Sequence, residues 1–159
     1  AYGAHAILLD LVDERLEFAK ELGIEYTINS KTEDAASRIS EITGGVMAQQ
    51  VMECSGANAA IRSTLDLVCH AGRITLTGWP KTETSIPTDL ITKKEIDIRG
   101  ARTSAGEFEE AIDLIHRGKI DIKKILTKVV SLEDAPAVIV DIEQNPGDYM
   151  KVVVQVNEP

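Results

Sequence analysis

Short apolar runs alternate with longer amphipathic stretches along most of the chain, and this alternation narrows the possible folds more than any other feature. Ala6-Ile7-Leu8-Leu9 closes on Asp10, and residues 12–22 then carry Leu16, Ala19 and Leu22 at helical spacing before stopping at Gly23. Tyr26-Thr27-Ile28-Asn29 reads as a second strand. Residues 30–43 place Ile39 and Ile42 on one helix face and end at Gly44-Gly45. Gln50-Val51-Met52-Glu53-Cys54 is a third strand, broken at Ser55-Gly56, and residues 58–68 set Ile61, Leu65 and Val68 on one stripe. Arg73-Ile74-Thr75-Leu76-Thr77, closed by Gly78, and Ile96-Asp97-Ile98-Arg99-Gly100 complete the strands, with a helix over 107–116 capped by Gly118. Strands separated by helices of this length pair in parallel through crossover connections, so the class is α/β. The tail breaks the rhythm. Residues 129–132, the helical 133–143, the turn Asn145-Pro146-Gly147 and the strand 151–156 read as a separate element.

Charge removes whole classes of partner. With 26 acids against 17 bases the chain carries a net charge of −9, whereas polyphosphates and anionic membrane surfaces select for clustered Lys and Arg. No apolar run approaches the roughly 20 residues that span a bilayer. Neither nucleic acid nor membrane is expected as a partner. Cys54 and Cys69 form neither a CxxC pair nor a zinc ribbon, and no secretory signal is visible, so the expected compartment is the cytoplasm. The histidines offer no metal site: His116 suits the last turn of its helix, His70 lies in a turn and His5 in a lead-in segment. No Ser-His-Asp arrangement is apparent, and no catalytic residue is assigned.

In an open parallel sheet, ligands sit at the carboxyl ends of the strands, which singles out a few positions. Asp10 ends a strand just before a helix, where a carboxylate either accepts the ribose hydroxyls of a dinucleotide and repels a 2′-phosphate, or, like Asp13, caps the helix. Arg15, one turn on, either reaches that ribose or pairs with Glu14. Cys54-Ser55-Gly56 is a small turn with room for a flat ring, and equally an ordinary strand end. Cys54 has no His nearby in sequence and reads as an ordinary free thiol rather than a nucleophile. Thr77-Gly78-Trp79-Pro80 places the single Trp after a strand-end Gly, where it flanks a ligand or plugs a loop.

Several stretches together resemble the medium-chain, zinc-type alcohol dehydrogenases. Residues 10–23 (DLVDERLEFAKELG) resemble their second strand–helix unit, residues 53–57 (ECSGA) a later strand-end turn, and residues 72–78 (GRITLTG) the glycine-bounded strand beside the nicotinamide. Residues 119–130, Leu132-Glu133-Asp134-Ala135-Pro136 and residues 149–154 are similar to the family's closing segment, so the likeness runs in order over nearly the whole chain. Gly100-Ala101-Arg102-Thr103-Ser104 is most similar to the sorbitol- and galactonate-type enzymes, which act on polyols and sugar acids.

The resemblance implies a Rossmann-like doubly wound parallel sheet and hydride transfer between a secondary alcohol and NAD. It assigns coenzyme binding to Asp10 and Arg15 at the adenosine ribose, to Cys54 and Ser55 at the later turn, and to Thr77, Gly78, Trp79, Ala101, Arg102 and Thr103 at the nicotinamide. It divides the chain into a partial NAD-binding domain over 1–124 and a segment over 125–159 that in the family returns to the catalytic domain. A homodimer joined edge to edge through the strand at 96–100 is also implied. The family's first strand, its glycine-rich phosphate loop and its zinc-binding residues find no counterpart in the chain. These 159 residues therefore read as the coenzyme-binding part of a longer enzyme, inactive alone, whose zinc is held by residues outside the sequence. Since the missing strand is central in the order 3-2-1-4-5-6, no continuous sheet is expected, and the gap calls for rearranged pairing, a partner chain or further protein. Two other classes compete. One is a non-catalytic nucleotide-binding or self-association module; the other is a phosphoacceptor domain with Asp10 as target, which lacks the preceding acidic doublet and the Lys-Pro order.

Overall fold

A computed structural model describes residues 3–102 and 104–157. Seven strands and six helices follow one another, with each helix up to α5 separated from the next by a strand. They are β1 (Ile7–Asp10), α1 (Asp13–Glu21), β2 (Tyr26–Asn29), α2 (Ala35–Ile42), β3 (Ala48–Glu53), α3 (Asn58–Leu67), β4 (Val68–Leu76), α4 (Thr88–Lys94), β5 (Asp97–Gly100), α5 (Phe108–His116), β6 (Leu126–Ser131), α6 (Ala135–Gln144) and β7 (Lys151–Gln155). The α/β class and the positions of the elements follow the sequence pattern. The strands form separate sheets, β1-β2, β3-β4-β5 and β6-β7, and no rearranged pairing joins them among the described residues. The expected break in the sheet is therefore present.

The chain divides into two compact units, one over Ile28–Ala105 and the other built from Ala1–Thr27 with Gly106–Pro159. In the first, β3, β4 and β5 pair in parallel through the crossover helices α3 and α4. Leu65 on α3, Val68 and Ile74 on β4, and Ile96 before β5 form the core, with Val51, Leu90 and Ile98 packed around them. Ile61 and Leu65, four residues apart on α3, share the buried face, which is why that helix lies on the sheet. Lys94, at the end of α4, donates its ammonium to the carbonyls of Leu65, Asp66 and Val68 and so caps the end of α3. At the N-terminus of α2, Asp34 accepts from the Ser37 amide at 2.7 Å, as the Asx side chains favoured there do.

Most element ends shift by one to three residues from the sequence pattern, which does not mark α4, and two boundaries depart furthest. β4 begins at Val68 rather than Arg73, because residues 69–72 are inserted without a partner: β3 Ala48 pairs Val68, while Gln50 pairs Arg73. Ala71 takes a left-handed φ of 52° within that bulge. The helix expected over 30–43 forms only over Ala35–Ile42, since Asn29 and Glu33 tie the first residues into a turn through the Lys31 and Asn29 amides.

In the other unit, β6 and β7 pair in parallel around α6, with Val130 and Val138 buried. Tyr149 donates its hydroxyl to Asp141, and the Asn145 side chain donates to the same carboxylate at 2.8 Å. These bonds hold Asp141 below the ordinary carboxylate range, that from Tyr149 contributing most, and the bond to Asp141 raises the Tyr149 hydroxyl.

On β5, Asp97 accepts from Arg73 Nε at 3.0 Å and from Arg99 Nε at 3.0 Å. The Arg99 hydrogen bond first, and then that of Arg73, hold its carboxyl below its ordinary value of 3.8. A carboxyl depressed on folding stabilises the fold above its unfolded pKa and loses that contribution as pH falls through the folded value. Asp97→Asn should therefore be less stable than wild type at neutral pH, and the difference should close as pH drops below the ordinary carboxylate range. Urea midpoints measured across pH 7 to 2 check this; a gap constant with pH would contradict it.

Candidate functional site

Two recesses, one in each unit, carry most of the singled-out residues; Cys54 and Ser55 line neither. The first, of about 300 Å3, opens at the carboxyl ends of β4 and β5 and is lined by Leu76, Thr77, Gly78, Trp79, Gly100, Ala101 and Arg102. Its walls continue the sheet: Thr77 and Gly78 donate their amides to the Glu53 carbonyl at 2.8 and 2.9 Å, and Ala101 donates to the Leu76 carbonyl at 2.9 Å. The Thr77 hydroxyl adds a third bond to the Glu53 carbonyl at 2.9 Å. Trp79 is 71% exposed, so it plugs no loop. The Arg102 guanidinium lies over its ring at 4.4 Å from the centroid, a cation–π contact that holds both at the recess wall. Thr103 lies outside the described residues.

The second recess, of about 420 Å3, is lined by Asp10 and Arg15 together with apolar side chains that include Leu8, Phe18 and Met150. Val12, not Asp10, occupies the N-cap of α1, and it makes no side-chain cap. Asp10 instead accepts from the Leu11 and Val12 amides through Oδ1, at 2.7 and 3.1 Å. Its Oδ2 faces the Arg15 guanidinium at 3.8 Å. Arg15 also donates to the Pro146 carbonyl at 2.7 Å, and its Nε is buried without a hydrogen-bond partner. The ion pair that Arg15 makes is thus with Asp10. A carboxylate oxygen beside a fixed guanidinium, at the edge of an apolar recess, is an acceptor–donor pair suited to a vicinal diol next to a flat hydrophobic ring.

Ser55 and Gly56 form the turn after β3, with Cys54 exposed there as a free thiol. Its Sγ lies 3.9 Å from the Met52 carbonyl. Glu53, which is not among the candidate residues above, is only 4% exposed, and its side chain accepts from both Ser55 and Gly56. The available signal was an acid at a strand end directly ahead of a small Ser-Gly turn. Among the described residues, no group of three or more His, Cys, Asp or Glu side chains could hold a metal ion, so those residues do not fit a zinc site. No helix among them is long and apolar enough to cross a membrane.

The sequence profile of the zinc-binding dehydrogenases matches residues 1–117. The chain belongs to the zinc-binding dehydrogenase family. It is 53% identical over 151 residues to an uncharacterized zinc-type alcohol dehydrogenase-like protein of Haemophilus influenzae, covering 95% of this chain and 44% of that protein. It is 33% identical over 156 residues to 2-dehydro-3-deoxy-L-galactonate 5-dehydrogenase of Pseudoalteromonas atlantica, covering 98% of this chain and 45% of that one. Among solved structures it resembles an alcohol dehydrogenase of Escherichia coli CFT073 in complex with NADH, with a TM-score of 0.86 at 26% identity, covering 94% of this chain and 44% of that one. The chain thus spans under half the length of the relatives it matches. The Rossmann-like doubly wound class expected from the resemblance agrees with these neighbours.

Proposed function

We propose that this chain is the coenzyme-binding part of an NAD-dependent, zinc-type dehydrogenase acting on a secondary alcohol of a polyol or sugar acid. The observation that carries the reading is Asp10, a strand-end carboxylate beside Arg15 on the edge of an apolar recess. There Asp10 accepts the ribose hydroxyls and Arg15 donates to them, while the carboxylate repels the 2′-phosphate of NADP. The recess of Thr77, Gly78, Trp79, Ala101 and Arg102 takes the nicotinamide, and we assign Thr103, Cys54 and Ser55 to coenzyme binding on the family resemblance alone. Because the Thr77, Gly78 and Ala101 amides already donate within the sheet, the contacts to a carboxamide in that recess come from other groups. Bound NAD supplies the hydride acceptor; this chain's residues hold and orient it.

The sugar-acid dehydrogenase among the relatives supports the substrate class, and the NADH-bound structure supports the cofactor. We read residues 1–124 as the NAD-binding domain and 125–159 as the segment joining it to the catalytic part. Zinc belongs to residues outside this sequence, and the chain alone is inactive. β5, which pairs only β4 among the described residues, serves as the edge through which two copies associate in the cytoplasm.

Titration of the chain with NAD and separately with NADP, followed by the fluorescence of its only Trp, Trp79, tests the reading. Saturable quenching is expected with NAD and little with NADP, and Asp10→Asn should weaken NAD about tenfold while narrowing the preference. Equal responses to both dinucleotides, or none to either, would overturn it.

A further inference from the structure

Glu53 is the only buried acid among the described residues, at 4% exposure. It ends β3 and touches neither recess directly. Its two ends hold two different turns. The side chain accepts from the Ser55 amide at 2.8 Å, from the Ser55 hydroxyl, and from the Gly56 amide at 3.1 Å to each oxygen. The carbonyl of the same residue accepts from Thr77 and Gly78. The turns it holds press on one another: a Cβ on Gly56 would stand 2.5 Å from the Trp79 carbonyl oxygen, and one on Gly78 would stand 2.5 Å from Glu53 Oε2.

Burying a carboxyl is costly unless its oxygens are satisfied, and an ordinary two-residue turn is held by far less. Here the cost fixes the backbone on which Trp79 stands, and with it the wall that Trp79 and Arg102 make together. We infer that Glu53 is a positioning residue for the nicotinamide recess: it contacts no ligand, but locks the Ser55-Gly56 turn against Thr77-Gly78-Trp79 so that the recess is formed before coenzyme arrives. The inference rests on the coenzyme reading above for the identity of the ligand. Preorganisation of this kind shows as affinity, because a binder need not order the wall itself.

Glu53→Gln keeps the shape but replaces one acceptor oxygen with an NH2 group that faces N–H donors. In the whole chain, amide hydrogen exchange at Ser55 and Gly56 should rise about tenfold in this variant, while Val51 and Ile74 within the β3–β4 ladder keep their protection. NADH affinity, measured by Trp79 quenching, should fall about tenfold, while ADP-ribose, which lacks the nicotinamide, changes by less than about twofold. Glu53→Asp, one methylene shorter, should behave like the Gln variant rather than like wild type. Equal losses for both ligands, with exchange rising throughout the ladder, would make Glu53 merely structural and overturn the inference. Wild-type binding of NADH with unchanged affinity in Glu53→Gln would overturn it while leaving the coenzyme reading intact. Should wild type bind neither ligand, the coenzyme reading fails. The exchange at Ser55 and Gly56 then still decides whether Glu53 holds the turn.

Discussion

Gly78→Ala is expected to destabilise the protein by about 2–4 kcal/mol, near the upper end of what overpacking costs. An added Cβ would stand 2.1 Å from the Gly56 nitrogen, 2.5 Å from Glu53 Oε2 and 2.8 Å from the Gly56 Cα. Two of those three atoms are backbone, and the third belongs to a buried side chain held by four hydrogen bonds. None can swing away. The strand ends of β3 and β4 would have to part, breaking the bonds that Thr77 and Gly78 make to the Glu53 carbonyl. A chain of this length loses about 2–4 °C of thermal midpoint per kcal/mol, so a circular-dichroism melt should register the change clearly. Gly100→Ala is the control, since a Cβ there meets nothing within 4 Å, and it should shift stability by less than about 0.5 kcal/mol. Equal shifts in the two variants would mean that close approach at Gly78 is not what requires glycine.

Leu65→Ala should cost about 2–5 kcal/mol, the range for deleting a buried Leu side chain. Leu65 is 1% exposed and sits where α3 meets β4, against Val68, Ile74 and Ile96. Removing its isobutyl group leaves a cavity bordered by sheet on one side and by a helix whose end Lys94 fixes on the other. That leaves little room to collapse, which places the expected value in the upper half of the range. Met52→Ala, at a side chain 67% exposed, should change stability by less than about 0.5 kcal/mol. Urea unfolding of both variants checks the contrast, and comparable midpoints would mean that the core lies elsewhere.

Where periodicity and punctuation agree, the sequence alone locates the elements. Tyr26–Asn29 is recovered to the residue because a β-branched and aromatic run lies between Gly23 and a polar turn. α3 is recovered because Ile61 and Leu65 recur on one face. The start of β4 was not legible, since nothing in Cys69-His70-Ala71-Gly72 marks a bulge and Ala71 is an unusual residue for a left-handed backbone. Asp10 was legible as a strand-end carboxylate, but not in how its oxygens are used; a cap at α1 and a turn at Leu11 have the same composition. The strand-end acid ahead of the Ser-Gly turn is the only trace of Glu53 in the sequence, and it is weak because such an acid ordinarily faces water; the packing of the two turns is what shows that this one is buried.

The division of the chain sets an order in time. Residues 28–105 are continuous in sequence, whereas the other unit joins the first 27 residues to those from Gly106 onward. During synthesis at about 5–20 residues per second, every described residue that lines the Trp79 recess has been made by Arg102. The carbonyl that receives Arg15 belongs to Pro146, and the Asp10 recess is finished only by Tyr149 and Met150. The residues known to line the Trp79 recess are therefore synthesised seconds before the Asp10 recess is complete, and the turn that fixes Arg15 beside Asp10 is made after them.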